Sequence, residues 1–173
     1  MQNIIVFAGP SGCGKSTACD YLAQNLGIER VIWTTTRSPR PNEVSEKIYV
    51  SHDEFEKQVQ EKKFAYHFKF FNGDRYGIGN LSAAKSYCVE LPPNEIIEFK
   101  KQIQSHNVIG LYVYAEPEKL ISACKDRCWS QEEQNKRILN AKTDLDNFNL
   151  IKEHFDKVIV NDYTEEFFKQ LNY

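Results

Sequence analysis

The sequence predicts a three-layer α/β protein: a parallel sheet between helices, with one inserted segment. Three observations carry that prediction. A short apolar run at residues 3–8 leads through a glycine-rich turn into a helical pattern, as expected for a strand buried on both faces of a parallel sheet. Strand-like and helix-like patterns then alternate along the chain, with no linker long enough to separate a pair of full domains. That rhythm is interrupted by an insertion in which aromatic residues recur with a period of two over residues 64–71.

Local signals place each element in order. A helix is expected over residues 15–25 and a strand over 31–36, after which Pro39 and Pro41 hold the chain extended. Ser51 and Glu54 have capping-box spacing and open a helix to about residue 60. Phe64, Tyr66, Phe68 and Phe70 alternate with Ala65, His67, Lys69 and Phe71, which predicts a strand with one aromatic face. Asn72-Gly73-Asp74 turns that strand into a partner at 75–79. The strand–helix rhythm then resumes with a strand at 87–91, a helix at 94–104, a strand at 108–114 and a helix at 117–127. The longest helix is expected at 131–148, with Ile138, Ala141, Leu145 and Phe148 on one stripe. A strand at 157–160 and a helix at 164–171 complete the chain.

Composition narrows the partners. In 173 residues, 22 basic and 24 acidic side chains leave a formal charge of −2, with no basic excess to attract nucleic acid. A hydrophobic content of 41% excludes the signature of a disordered chain. No apolar run approaches the roughly 18 residues of a membrane span, and the apolar start is strand-length with no basic region before it. The protein is expected in the cytoplasm, as a monomer or homodimer, without nucleic-acid or membrane partners. Its five cysteines are odd in number and lack zinc-site spacing, so they read as free thiols.

The strongest motif is Gly9-Pro-Ser11-Gly12-Cys13-Gly14-Lys15-Ser16, which has the Gly-x4-Gly-Lys-Ser pattern between a strand and a helix. Glycines let successive N–H groups turn toward one point, and the start of the helix adds its positive end, so the expected ligand is a polyphosphate. Lys15 is assigned to the β- and γ-phosphates of ATP, Ser16 to Mg²⁺, and Thr17, with Gly9, Ser11, Gly12, Cys13 and Gly14, to ATP binding. Cys13 reads as a small filler residue, with an oxidation-sensitive thiol as the alternative.

A second constellation follows in Arg37-Ser-Pro-Arg40, where an extended path projects both guanidinium groups the same way. Two such forks suit a dianionic phosphate, to which Tyr49 and Tyr76 add neutral donors. Taken alone, both arginines would read better as solvated surface charges.

These segments, with Gly73-Asp-Arg-Tyr76-Gly77, Asn135-Lys-Arg137 and Lys157-Val-Ile-Val-Asn161-Asp162, resemble the guanylate kinases in order and spacing over essentially the whole chain. The resemblance implies one domain, with a core of about residues 1–33 and 81–173, an acceptor-binding insertion at 34–80 and a lid near 124–137. It further implies that Arg37, Arg40, Tyr49 and Tyr76 bind the acceptor phosphate. Arg127 and Arg137 would neutralise the transferring phosphoryl group, and Asn161 would contact the donor adenine. One further lid arginine of the family corresponds to Ala123 here.

Counting from the retained motifs, the four positions at which guanylate kinases read guanine carry Trp33, His67, Ile78 and Pro92. The expectation is therefore a phosphate grip joined to an altered base reader. His67 and Lys69 would offer donors to an acceptor-rich or modified base, and Trp33 a stacking surface; the alternatives are a purely structural His67 and, the better reading for that residue, a solvent-facing Lys69. Glu90 is the candidate carboxylate for Mg²⁺, with helix capping as its alternative.

The resulting reading is a kinase that transfers the γ-phosphoryl group of ATP to a nucleoside monophosphate. The rivals are a GMP or dGMP kinase with a rearranged site, a kinase of a phosphorylated small molecule that is not a nucleotide, and a non-catalytic binding module.

Overall fold

The computed structural model describes residues 1–39, 46–125 and 130–172. Its central sheet holds five parallel strands in the order β2-β7-β1-β8-β9: β1 Asn3–Ala8, β2 Glu29–Arg30, β7 Tyr87–Leu91, β8 Asn107–Tyr114 and β9 Lys157–Val160. The apolar run of β1 is divided by its period of two. Ile4, Val6 and Ala8 join a core with Val89, Leu91, Phe99 and Tyr112 on one face of the sheet. Ile5 and Phe7 pack on the other face with Ala18, Leu22, Leu111, Val113 and Phe167. This second face is covered by α1, Lys15–Leu26, and the first by α3, Ile96–Gln102. Among the described residues Cys13, Cys19 and Cys88 are buried free thiols.

A second sheet, in the order β4-β3-β6-β5, carries the inserted segment: β3 Trp33–Thr35, β4 Lys47–Tyr49, β5 Phe64–Lys69 and β6 Arg75–Gly79. Helix α2, His52–Gln60, starts as expected from Ser51, whose hydroxyl accepts the Glu54 N–H at 3.1 Å. The strand expected at 31–36 is the shorter Trp33–Thr35 of the second sheet, preceded by a separate short strand, Glu29–Arg30, in the central one. Val31 still donates to the Cys88 carbonyl in the central sheet, at 2.9 Å, whereas Trp33 already belongs to the second.

The expected alternation along β5 is also broken. Phe64 pairs with Gly79 but Tyr66 pairs with Ile78, so Ala65 is an extra residue, a β-bulge. Phe64 is thereby moved from the Tyr66–Phe68 face to the His67 face, where it stacks on Phe55 of α2 at 4.7 Å. Gly77 shares that face, and a Cβ there would stand 2.6 Å from the Phe64 ring.

Helix α4 is Pro117–Lys125 and α5 is Gln131–Asp146; the latter stops short of Phe148, which begins a separate turn, α6, Phe148–Ile151. The helix expected from residue 94 begins at Ile96, after a tighter turn at Pro93–Glu95, and the terminal helix α7 is only Glu166–Lys169. No helix among the described residues is long and apolar enough to cross a membrane.

Candidate active site

The phosphate loop rises from the end of the central strand β1 into the first turn of α1, whose free N–H groups suit an anion. Gly14 lies there at φ +100°, and a Cβ would stand 2.3 Å from the Asn161 side-chain nitrogen. Asn161, at the end of β9, is 4% exposed. Its Nδ2 donates to the Cys13 carbonyl at 2.8 Å, and its Oδ1 accepts the Tyr163 N–H at 2.7 Å. The residue expected beside the adenine is thus a brace beneath the loop, because both ends of its amide are used inside the protein. Tyr163, which the sequence did not single out, adds a second brace from its hydroxyl to the Gly12 carbonyl at 3.0 Å.

Lys15 folds back over the loop, its Nζ donating to the Gly9 and Pro10 carbonyls at 2.7 Å each. Cys13 is fully buried, and burial pushes its thiol up against the opposing pull of Lys15, so it is a neutral filler. Thr17 is exposed on the first turn of α1. Arg137 reaches the loop from α5, donating to the Ser11 hydroxyl at 3.3 Å. Arg127 lies outside the described residues, as does Arg40 of the acceptor clamp. Sequence reasoning also missed Asp144, half-buried on α5 within electrostatic reach of Lys15. Burial pushes its carboxyl up to about 6, with Lys15 opposing.

Ser16 and Glu90 come together from α1 and β7. The Ser16 hydroxyl lies 3.1 and 3.0 Å from the two Glu90 carboxylate oxygens. An alcohol oxygen and a carboxylate on a phosphate loop form a hard-donor set that fits Mg²⁺, which takes one or two protein oxygens beside those of a phosphate. Arg30, at the end of β2, ion-pairs with both Glu90 and Asp20 and reaches Ser16 as well. Its place beside Glu90 follows from the strand order, in which β2 neighbours β7, and no local motif announces it.

On the acceptor side, cross-strand register sets Tyr49, Thr35, Tyr76 and Phe68 in one row over four strands. Arg37 is 7% exposed and lies over the Tyr49 ring, its guanidinium carbon 5.7 Å from the ring centre. It also donates to the Ser38 carbonyl at 2.8 Å. Three of the four expected phosphate ligands therefore share a face. Tyr76 stacks on Phe68 at 5.3 Å, and Trp33 meets both rings edge-on at 5.7 and 6.0 Å.

Ile78 is 1% exposed and belongs with Trp33 and Tyr66 to the core shared with Leu91, Ile96 and Phe99. An isoleucine buried to that extent is packing rather than an open wall of a binding site. Tyr66 donates to the Glu95 carboxylate at 2.6 Å, which ties the second sheet to the start of α3. His67 does not join this face. It pairs with Gly77 and points to Phe55 and Phe64 beneath α2, away from Trp33 and Tyr76. Burial and then Arg75 push its pKa down, so it is a neutral packed histidine, and exposed Lys69 shares its side.

The guanylate kinase family model matches residues 1–173. The guanylate kinase of Trichodesmium erythraeum is 29% identical, across 98% of this chain and 93% of its own length. That of Histophilus somni is 28% identical, across 92% and 80%. In three dimensions the guanylate kinase of Anaplasma phagocytophilum superposes with a TM-score of 0.68 over 99% of this chain and 81% of its own, at 19% identity.

Proposed function

The chain belongs to the guanylate kinase family, a family of nucleoside monophosphate kinases, and from that premise we propose that it phosphorylates a nucleoside monophosphate whose base is read by an altered site. The observation that carries the altered reader is the face around Tyr76. Of the four positions at which the family's polar base contacts are expected, Trp33 and Ile78 lie on this side, packed with Tyr66 and Phe68, and the Tyr66–Glu95 pair stands beside them. A site built from aromatic surfaces and one carboxylate favours stacking over a full set of hydrogen bonds to guanine.

The reaction needs alignment and charge neutralisation more than proton transfer. An anionic oxygen of the acceptor phosphate attacks the γ-phosphorus of ATP, forming one P–O bond as the bond to the ADP oxygen breaks. Arg37, Arg40, Tyr49 and Tyr76 hold the acceptor phosphate in line, and Lys15 leaves the Gly9 and Pro10 carbonyls for the donor phosphates. Arg137 and Arg127 balance the charge that develops between the two nucleotides. Ser16 and Glu90 would hold Mg²⁺, which supplies further neutralisation of the ATP oxygens.

A coupled assay of ADP release, with MgATP and a panel of ribo- and deoxynucleoside monophosphates including modified pyrimidines, tests the reading. Selective turnover of an acceptor other than GMP or dGMP is expected. Turnover confined to GMP and dGMP would remove the altered-base proposal and leave the kinase intact. Failure to bind MgATP would remove the kinase reading.

A further inference from the structure

The cation that holds the proposed metal ligands together belongs to the protein itself. Arg30 projects from the end of β2 into the angle between α1 and β7. Its Nη2 donates to the Ser16 hydroxyl at 3.1 Å and ion-pairs with Glu90, while its Nη1 donates to the Ser16 carbonyl at 3.3 Å and ion-pairs with Asp20. The side chain is only 18% exposed, so these contacts are little screened by water. The guanidinium therefore rests on the same two side-chain oxygen groups, the Ser16 hydroxyl and the Glu90 carboxylate, that a divalent cation would need.

We propose that Arg30 is a resident cation of the metal site and competes with Mg²⁺ for Glu90. In the nucleotide-free protein it neutralises Glu90 and fixes Ser16. When nucleotide and metal enter, the guanidinium yields Glu90 and remains anchored on Asp20 and the Ser16 carbonyl. Asp20 is then its alternative partner, which keeps the displaced charge from being left unpaired. This inference rests on the kinase reading of the same loop and adds a control on the metal requirement.

The test is the ratio of dissociation constants for a non-hydrolysable ATP analogue in EDTA and in Mg²⁺, measured by calorimetry on the full chain. That ratio reports how much the metal adds to nucleotide binding, without any turnover. In Arg30→Ala and Arg30→Gln the ratio should rise about fivefold or more, because the competitor is gone. Arg30→Lys should leave it near the wild-type value, and Asp20→Asn should lower it, since displaced Arg30 loses its second partner. Lys85→Ala, which removes a surface cation paired with Glu29, controls for net charge and should change nothing.

An unchanged or smaller ratio in both neutral Arg30 variants would overturn the proposal and make Arg30 a structural brace of Glu90. So would an equal rise in Lys85→Ala. If the wild-type chain binds the analogue in neither buffer, the kinase reading itself fails and the proposal goes with it. If it binds in both, only the role of Arg30 is in question. Because Gln retains a hydrogen-bonding side chain toward Ser16, it serves as the measured variant should Ala fail to fold.

Discussion

Asp144→Asn should stabilise the protein above pH 6 and leave it nearly unchanged below pH 4. The carboxyl is pushed from an ordinary 3.8 up to about 6, by burial first, with Lys15 opposing. Between those values the folded chain keeps a proton that the unfolded chain has released, so wild-type stability falls as pH rises through the window. A shift of about two pKa units, at 1.36 kcal/mol each, corresponds to a penalty of about 3 kcal/mol once the group is ionised. The amide carries no such penalty. Urea midpoints for both proteins at pH 4 and pH 7.5 give the double difference, in which the titration of the other carboxylates cancels. A gain for Asp144→Asn of about 2–3 kcal/mol at pH 7.5 relative to pH 4 is expected. No gain, or a loss, would show that Lys15 stabilises the ionised form and that burial has been given too much weight.

Other substitutions separate the components of the site. Gly14→Ala forces a Cβ against Asn161 at a left-handed backbone position, so it should cost roughly 2–4 kcal/mol of stability and abolish ATP binding, read by thermal melting and calorimetry. Asn161→Ala leaves the Cys13 carbonyl without its buried donor and should cost about 1–3 kcal/mol while weakening ATP binding, whichever base the donor carries. Arg37→Ala should raise the acceptor KM by about tenfold or more with ATP affinity unchanged, whereas His67→Ala should leave the acceptor KM within about twofold. A large KM effect at His67 would contradict the side of the sheet on which it lies.

The features of this protein that could be read in advance are those set by neighbours in sequence. The phosphate loop, its flanking strand and helix, the Ser51 cap and the Asn72–Asp74 turn each depend on a few consecutive residues. Arg37, Tyr49 and Tyr76 were legible as a group because their motif spacing coincides with cross-strand register. Where the outcome depended on which distant strands lie side by side, sequence was silent. Arg30 meets Glu90 only because β2 joins the edge of the sheet next to β7, and Asp144 meets Lys15 only through the packing of α5 over the loop. Asn161 lies at the phosphate-loop end of β9, but its orientation was not legible, since an amide serves a ligand or a backbone carbonyl with the same atoms. His67 differs for another reason: parity set it opposite Tyr66 and Phe68, as the structure does, but alternation alone does not say which of the two faces meets Tyr76, and that face is the one of Tyr66 and Phe68.

The bulge at Ala65 makes spacing along β5, and not side-chain identity alone, decide which side of the sheet Phe64 joins. Because Ala65 is the extra residue, its deletion would restore regular pairing at Gly79 and Ile78 while Phe64 keeps the Phe55 side it already occupies and Tyr66 to Lys69 keep theirs. A relative whose strand lacks the bulge can therefore share the column of Phe64 while presenting that side chain to the Tyr66 and Phe68 side of the sheet rather than toward Phe55.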